Sequence, residues 1–217
     1  MDFFAVLNLP PRYGLDLADA ERRFREASRQ VHPDRFARAD PRARRASLQR
    51  TVQLNEAWRT LRDPVRRAEY LLRLAGYDIG GEDGASRPRD ATVAPAAGVA
   101  PASTVDTAPA RDRLPVPPAL LGEILELREE LSDARAAGDD ARVQAMARGA
   151  RDRVDGALAR VAEALARAER SQADRGDALE IAARDLIAIR YFRRFLDEVS
   201  VHDEVVAAAA VETARHA

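Results

Sequence analysis

The sequence predicts an all-α protein: an N-terminal helical hairpin unit followed by a C-terminal antiparallel three-helix bundle. Three observations lead there. Apolar residues recur three and four positions apart along much of the 217-residue chain, the spacing of one helical face. No run alternates apolar and polar side chains strongly enough to build a sheet. Between Asp78 and Pro118 the composition changes to Gly, Pro, Ala, Ser and Thr, with few groups large enough to offset the entropy of ordering the backbone. The expected organisation is therefore a first unit over 1–77, a flexible linker over 78–117 and a second unit over 118–208.

In the first unit, Leu7, Leu9 and Tyr13 flank a Pro-Pro turn, and Asp16 is placed to cap a helix whose inner face carries Ala20, Phe24, Ala27 and Val31. Pro33 ends that helix, because it lacks an amide donor and disfavours helical geometry in His32. A loop follows. The next pattern, Leu48, Val52, Asn55, Trp58 and Leu61, runs to "RDP", where Pro64 can open a further helix through Ala68, Leu71 and Leu72 to Gly76. The expected core is Leu9, Phe24, Val31, Leu48, Val52, Trp58, Leu61 and Leu71, built around an antiparallel pair.

In the second unit, "ALLGEILELREELSDARAAG" reads as one helix with Leu121, Leu125 and Leu131 on a broad stripe and Gly138 at its end. Asp139 and Asp140 are candidate caps for a second helix bearing Val143, Met146, Ala150, Val154, Ala157, Val161 and Leu165, with Gly149 and Gly156 as weak points. From about Ala178, Ile181, Leu186, Ile189, Phe192, Leu196 and Val199 define a third, which frays into alanine-rich sequence. Each stripe must be buried on the others, and short connections make an antiparallel bundle the economical arrangement.

Composition excludes several classes of function. Lysine plus arginine number 35 against 36 acidic residues, so the net charge of -1 exerts no global pull on nucleic acid or anionic membrane. Every fixed basic side chain is arginine. With no cysteine there is neither a disulfide nor a thiol nucleophile nor a thiolate ligand for zinc or iron-sulfur clusters. The amino terminus lacks a basic segment followed by a long apolar one, and no stretch is long and apolar enough to span a bilayer; the expectation is a cytoplasmic protein. The sequence holds no serine elbow, His-Glu-x-x-His motif, dinucleotide loop or phosphate loop, so no enzyme activity, metal or cofactor is expected.

The informative stretch is "SRQVHPDRFARADPRARR". A catalytic reading of His32 lacks a nucleophile or an obvious substrate pocket. A contact reading has more support: from Glu21 to Arg50 ten arginines face four acids, and Arg22, Arg25 and Arg29 are neighbours on a helix surface. His32, Pro33 and Asp34 lie between two amphipathic helices, with "NEAW" and "DPVRRAEY" downstream. In this setting the chain resembles the J-domain, the helical module with which Hsp40-type co-chaperones engage Hsp70. The opening "MDFFAVLNLPPRYGLD" and the later "LELREEL" and "RFLDEV" extend the likeness to the HscB-type family of bacterial iron-sulfur cluster assembly co-chaperones.

That resemblance implies an adaptor that binds an HscA-like Hsp70, stimulates the ATP hydrolysis performed by that partner, and delivers an IscU-like scaffold protein to it. It assigns activation to His32, Pro33 and Asp34, and chaperone docking to Arg22, Arg23, Arg25 and Arg29. It places scaffold binding on Leu121, Leu125, Glu126, Glu129 and Asp133, with Phe195 nearby. Gly122 departs from the larger apolar residue of the family pattern, Asp133 stands where a glutamate is usual, and the linker is expanded. A J-protein for a different client is the first alternative; a basic nucleic-acid-binding adaptor is the second, and it lacks a recognition motif.

Overall fold

The structure, a computed structural model, describes residues 2–32, 36, 40–79 and 114–215, the side chains of 201–215 excepted. The described residues form helices and connections without a strand: α1 (Phe3–Val6), α2 (Leu17–Val31), α3 (Pro41–Arg62), α4 (Pro64–Leu74), α5 (Pro118–Ala136), α6 (Asp140–Arg170) and α7 (Arg175–Arg215).

Local chemistry sets most boundaries. Asp16, Asp40, Asp63 and Asp139 each cap a helix, accepting amide hydrogens that have no intrahelical partner. Asp63 Oδ1, for example, takes the Val65 and Arg66 amides, both at 2.9 Å. Proline occupies the first turn of α3, α4 and α5, where its missing N–H costs nothing. Gly76 (φ 84°) and Gly138 (φ 65°) reverse the chain after α4 and α5, and the residues beyond them, Tyr77 and Asp139, return amides to Leu72 and Ala134 at 2.9 Å.

One helix escapes a periodicity reading. α1 has four residues, too few to show a stripe, and tertiary contacts hold it: the Phe3 amide donates to Tyr70 Oη at 2.9 Å and the two rings stack at 4.7 Å. Gly149 and Gly156 do not interrupt α6, and α7 carries on through the alanine-rich end instead of fraying.

Two apolar cores result. The first gathers Phe4, Leu7, Leu9, Ala20, Leu54, Ala57, Leu61 and Tyr70, with Phe24 stacked on Trp58 at 5.2 Å along its edge. The second fills the bundle of α5, α6 and α7 and extends to Val65, Ala68 and Leu72 of α4 and to Tyr77 and Ile79 beyond it. Helix α4 thus belongs to both, with Leu71 packed against each. The expected linker begins inside this core, since Ile79 is buried, and most of it lies outside the described residues.

Two expected core positions are corrected. Leu48 and Val52 are 53% and 65% exposed. The inward stripe of α3 is Ser47, Leu54, Ala57 and Leu61, displaced from the apolar pattern at its N-terminal half. There the polar residues face α2: Ser47 Oγ and Thr51 Oγ1 donate to Val31 O at 2.7 and 3.3 Å. Their neighbours Leu48 and Val52 turn outward. Ile181, in the expected stripe of the last helix, is also exposed.

Polar ties cross between the two ends of the chain. Arg190 of α7 donates to Glu69 of α4 at 3.0 Å and to Ile79 O at 2.5 Å. The Tyr13 amide donates to Glu169 of α6 at 2.8 Å. Arg67, buried, reaches Leu61 O at 2.8 Å and lies 5.0 Å from the centre of the Tyr13 ring. Burial pushes Tyr13 above its ordinary pKa and Arg67 below its own, the charged form of each being disfavoured.

Candidate functional site

The first candidate surface starts with α2. Its inner residues pack against α3, which leaves Arg22, Arg25 and Arg29 exposed along the outside. Arg22 pairs with Asp19, Arg25 with Glu21 at 2.5 Å, and Arg29 Nε donates to Arg25 O at 3.3 Å. These exposed i,i+3 and i,i+4 pairs are weak enough for a partner's carboxylates to displace them. Arg23 is different. Its guanidinium holds Asp19 at 2.8 Å and also Asn8 O, fastening α2 to the N-terminal turn, so less of it is left for a partner.

His32 is the C-terminal cap of α2, with extended backbone (φ -58°, ψ 130°), and is exposed. The two α3 hydroxyls bound to Val31 O anchor the last turn just before it. The exit of the chain toward the tripeptide is therefore fixed from α3. Pro33 and Asp34 lie outside the described residues.

The second surface is the outside of α5. Leu120, Ile124, Leu131 and Ala134 point into the bundle, and Leu121 and Leu125 sit one position round, 40% and 60% exposed. Glu126, Glu129 and Asp133 are exposed beside them and meet no arginine among the described residues, whereas Glu123 and Glu130 pair with Arg153 and Arg142 of α6. Gly122 is exposed with nothing within 4 Å of where a Cβ would stand. Phe195 is a correction. It is completely buried in the bundle core, because α7 turns it inward with Ile189, Phe192 and Val199, and so cannot touch a partner.

Sequence reasoning did not anticipate the exposed apolar pair Leu48 and Val52 beside the end of α2. Nor did it anticipate an arginine-lined cleft where α3 and α4 meet α7. The cleft had a visible signal in the density of arginine over 59–73 and 190–194, but nothing local says that these segments meet.

Residues 2–70 match the DnaJ domain family, and residues 116–200 match the family described as the HSCB C-terminal oligomerisation domain. The structure is similar to chaperone HscB from Vibrio cholerae, with 28% sequence identity over 94% of this chain and 99% of that one and a TM-score of 0.66. It also resembles in fold the human co-chaperone protein HscB, at 21% identity over 94% of this chain and 82% of that one, with a TM-score of 0.64. A J-domain joined to such a helical bundle defines the class as a J-domain co-chaperone. The chain belongs to the HscB family, whose role lies in iron-sulfur cluster assembly.

Proposed function

We propose that the chain docks on an Hsp70-type chaperone through the exposed arginines of α2 and the His32-Pro33-Asp34 turn, and stimulates the partner's ATPase. The α5 face, built on Leu121, Leu125, Glu126, Glu129 and Asp133, captures an iron-sulfur scaffold protein and presents it to the chaperone. The unit over 1–77 serves the chaperone, and that over 118–208 serves the scaffold. The observation that carries this reading is the pairing of two unlike exposed faces on one packed body: basic on α2, and on α5 apolar with Glu126, Glu129 and Asp133 meeting no arginine among the described residues. Opposite charges suit them to different partners.

Asp34 offers two acceptor oxygens suited to a bidentate arginine on the chaperone. The experiment is Asp34→Asn, which removes the charge at nearly constant volume. Helical content by circular dichroism stays that of the parent, while single-turnover ATPase stimulation falls to near the basal rate. Parent-level stimulation by the folded variant overturns the assignment.

A J-protein for another client remains the second reading, favoured at one point by Gly122, which subtracts apolar area from the α5 face. Titration of purified scaffold protein against the chain separates the two: saturable binding lost on changing Leu125 supports the first, and no binding supports the second.

A further inference from the structure

Where the α3–α4 corner meets α7 the surface folds into a cleft of about 640 Å³. Six of its lining residues are arginines: Arg59 and Arg62 from α3, Arg66 and Arg73 from α4, and Arg190 and Arg193 from α7. The acids there are Glu56, Asp63 and Glu69, so the cleft carries three more positive charges than negative. Two of those carboxylates are already engaged. Asp63 caps α4 through the Val65 and Arg66 amides, and Glu69 holds Arg190. Arg59, Arg62, Arg66 and Arg193 form no ion pair with a described residue, and the Nη2 atom of Arg190 is buried without a hydrogen-bond partner.

Like charges do not gather on one concave surface without cost, because each guanidinium raises the energy of the next, although water and salt screen the five that are exposed. A ligand carrying several negative charges on one compact group removes that cost and gains charge-assisted hydrogen bonds from planar donors. We propose that this cleft is a binding site for a small multivalent phosphate, a pyrophosphate or triphosphate group, held between α4 and α7. The volume suits a small molecule. The lining is mostly polar and offers Phe3 as its one aromatic ring, so it recognises the phosphate chain and provides no slot for a base. None of the lining residues belongs to the α2 or α5 faces, and the site stands independently of the function proposed for them. Because its arginines come from both ends of the chain, a bound phosphate chain crosslinks α4 to α7 and stabilises their contact by mass action.

The test is calorimetric titration of the full-length protein with sodium tripolyphosphate, against sodium sulfate and chloride at matched ionic strength. The expected result is saturable binding of one tripolyphosphate per chain, a rise in melting temperature with its concentration, and no saturation with chloride. Sulfate binds more weakly. In Arg66→Gln combined with Arg193→Gln the affinity falls about tenfold per guanidinium removed. In Arg22→Gln combined with Arg25→Gln, on the α2 face that contributes nothing to the cleft lining, it stays at the parent value. Arg66 and Arg193 are exposed, and removing them relieves repulsion, so without ligand the double variant melts no lower than the parent; if it melts early, Arg59→Gln replaces it as the same test on α3. Non-saturating uptake, or equal losses from the cleft and α2 variants, overturns the proposal, since either outcome describes diffuse attraction to arginine. Tight tripolyphosphate binding that survives removal of the cleft arginines overturns it as well.

Discussion

Leu72→Ala tests whether the two ends of the chain share one cooperative structure. Leu72 lies on α4, near the end of the J-domain, yet it is completely buried in the core of the three-helix bundle. Truncation removes three carbons from a site with no solvent access and leaves a cavity that α4 can only partly close. Comparable core truncations cost about 3–5 kcal/mol. For a chain of this size each kcal/mol lowers the melting temperature by about 2–4 °C, so the variant melts about 6–20 °C below the parent. Leu125→Ala is the control: at 60% exposure the same chemical change costs less than about 0.5 kcal/mol. Trp58 is the sole tryptophan and stands against the first core, so its fluorescence in urea follows the J-domain while far-ultraviolet dichroism follows all the helices. In the parent the two transitions coincide; in Leu72→Ala both shift to lower urea. A loss under about 1 kcal/mol, or a Trp58 transition that ignores the substitution, refutes the shared core.

Three further outcomes follow from the surfaces and the seam. Reversing Arg22, Arg25 and Arg29 to glutamate weakens chaperone binding most at low salt, where exposed attraction is least screened; titration over a salt series that finds no change rejects the α2 face. Leu125→Ser with Glu129→Lys abolishes scaffold binding at an unchanged melting temperature while a saturating amount still stimulates the chaperone alone, and tight scaffold binding by this folded variant rejects the α5 face. Tyr70 is held above its ordinary pKa by burial, so the folded state keeps its proton longer than the unfolded chain. The associated stability is intact below the ordinary tyrosine pKa of about 10 and is lost as pH rises toward and through the folded value. Tyr70→Phe loses the bonds to Phe3 and Asp2 and is less stable at pH ~8, but declines less steeply above pH ~10; parallel urea-stability curves for parent and variant contradict the assignment.

The helices that local chemistry specifies were legible in the sequence: aspartate caps, proline first turns and terminal glycines placed α2, α4 and α5 almost to the residue. What it could not supply was pairing. Leu48 and Val52 have the spacing of a core stripe, and only the approach of Val31 O to Ser47 and Thr51 makes the polar side of α3 the inner one. Helix α1 exists because Tyr70, far along the chain, receives it. At the α5 face, apolar periodicity put Leu121 and Leu125 on one broad stripe with Leu131, and the inward packing of Leu120 and Ile124 is what turns the pair to solvent. Phe195 went the other way, since a motif locates a residue on a helix without saying which side that helix turns to its neighbours.

Helix α4 lies in two cores at once, and this bears on how the chain would bring two partners together. When binding modules are joined by a flexible tether, the local concentration of one near the other follows polymer statistics and dilutes as the tether lengthens. Here Leu72, Tyr77 and the Arg190–Glu69 pair set the spacing between the α2 and α5 faces instead. On the function proposed above, a chaperone and its cargo would meet at a span set by this seam, with the chain as a gauge block between them.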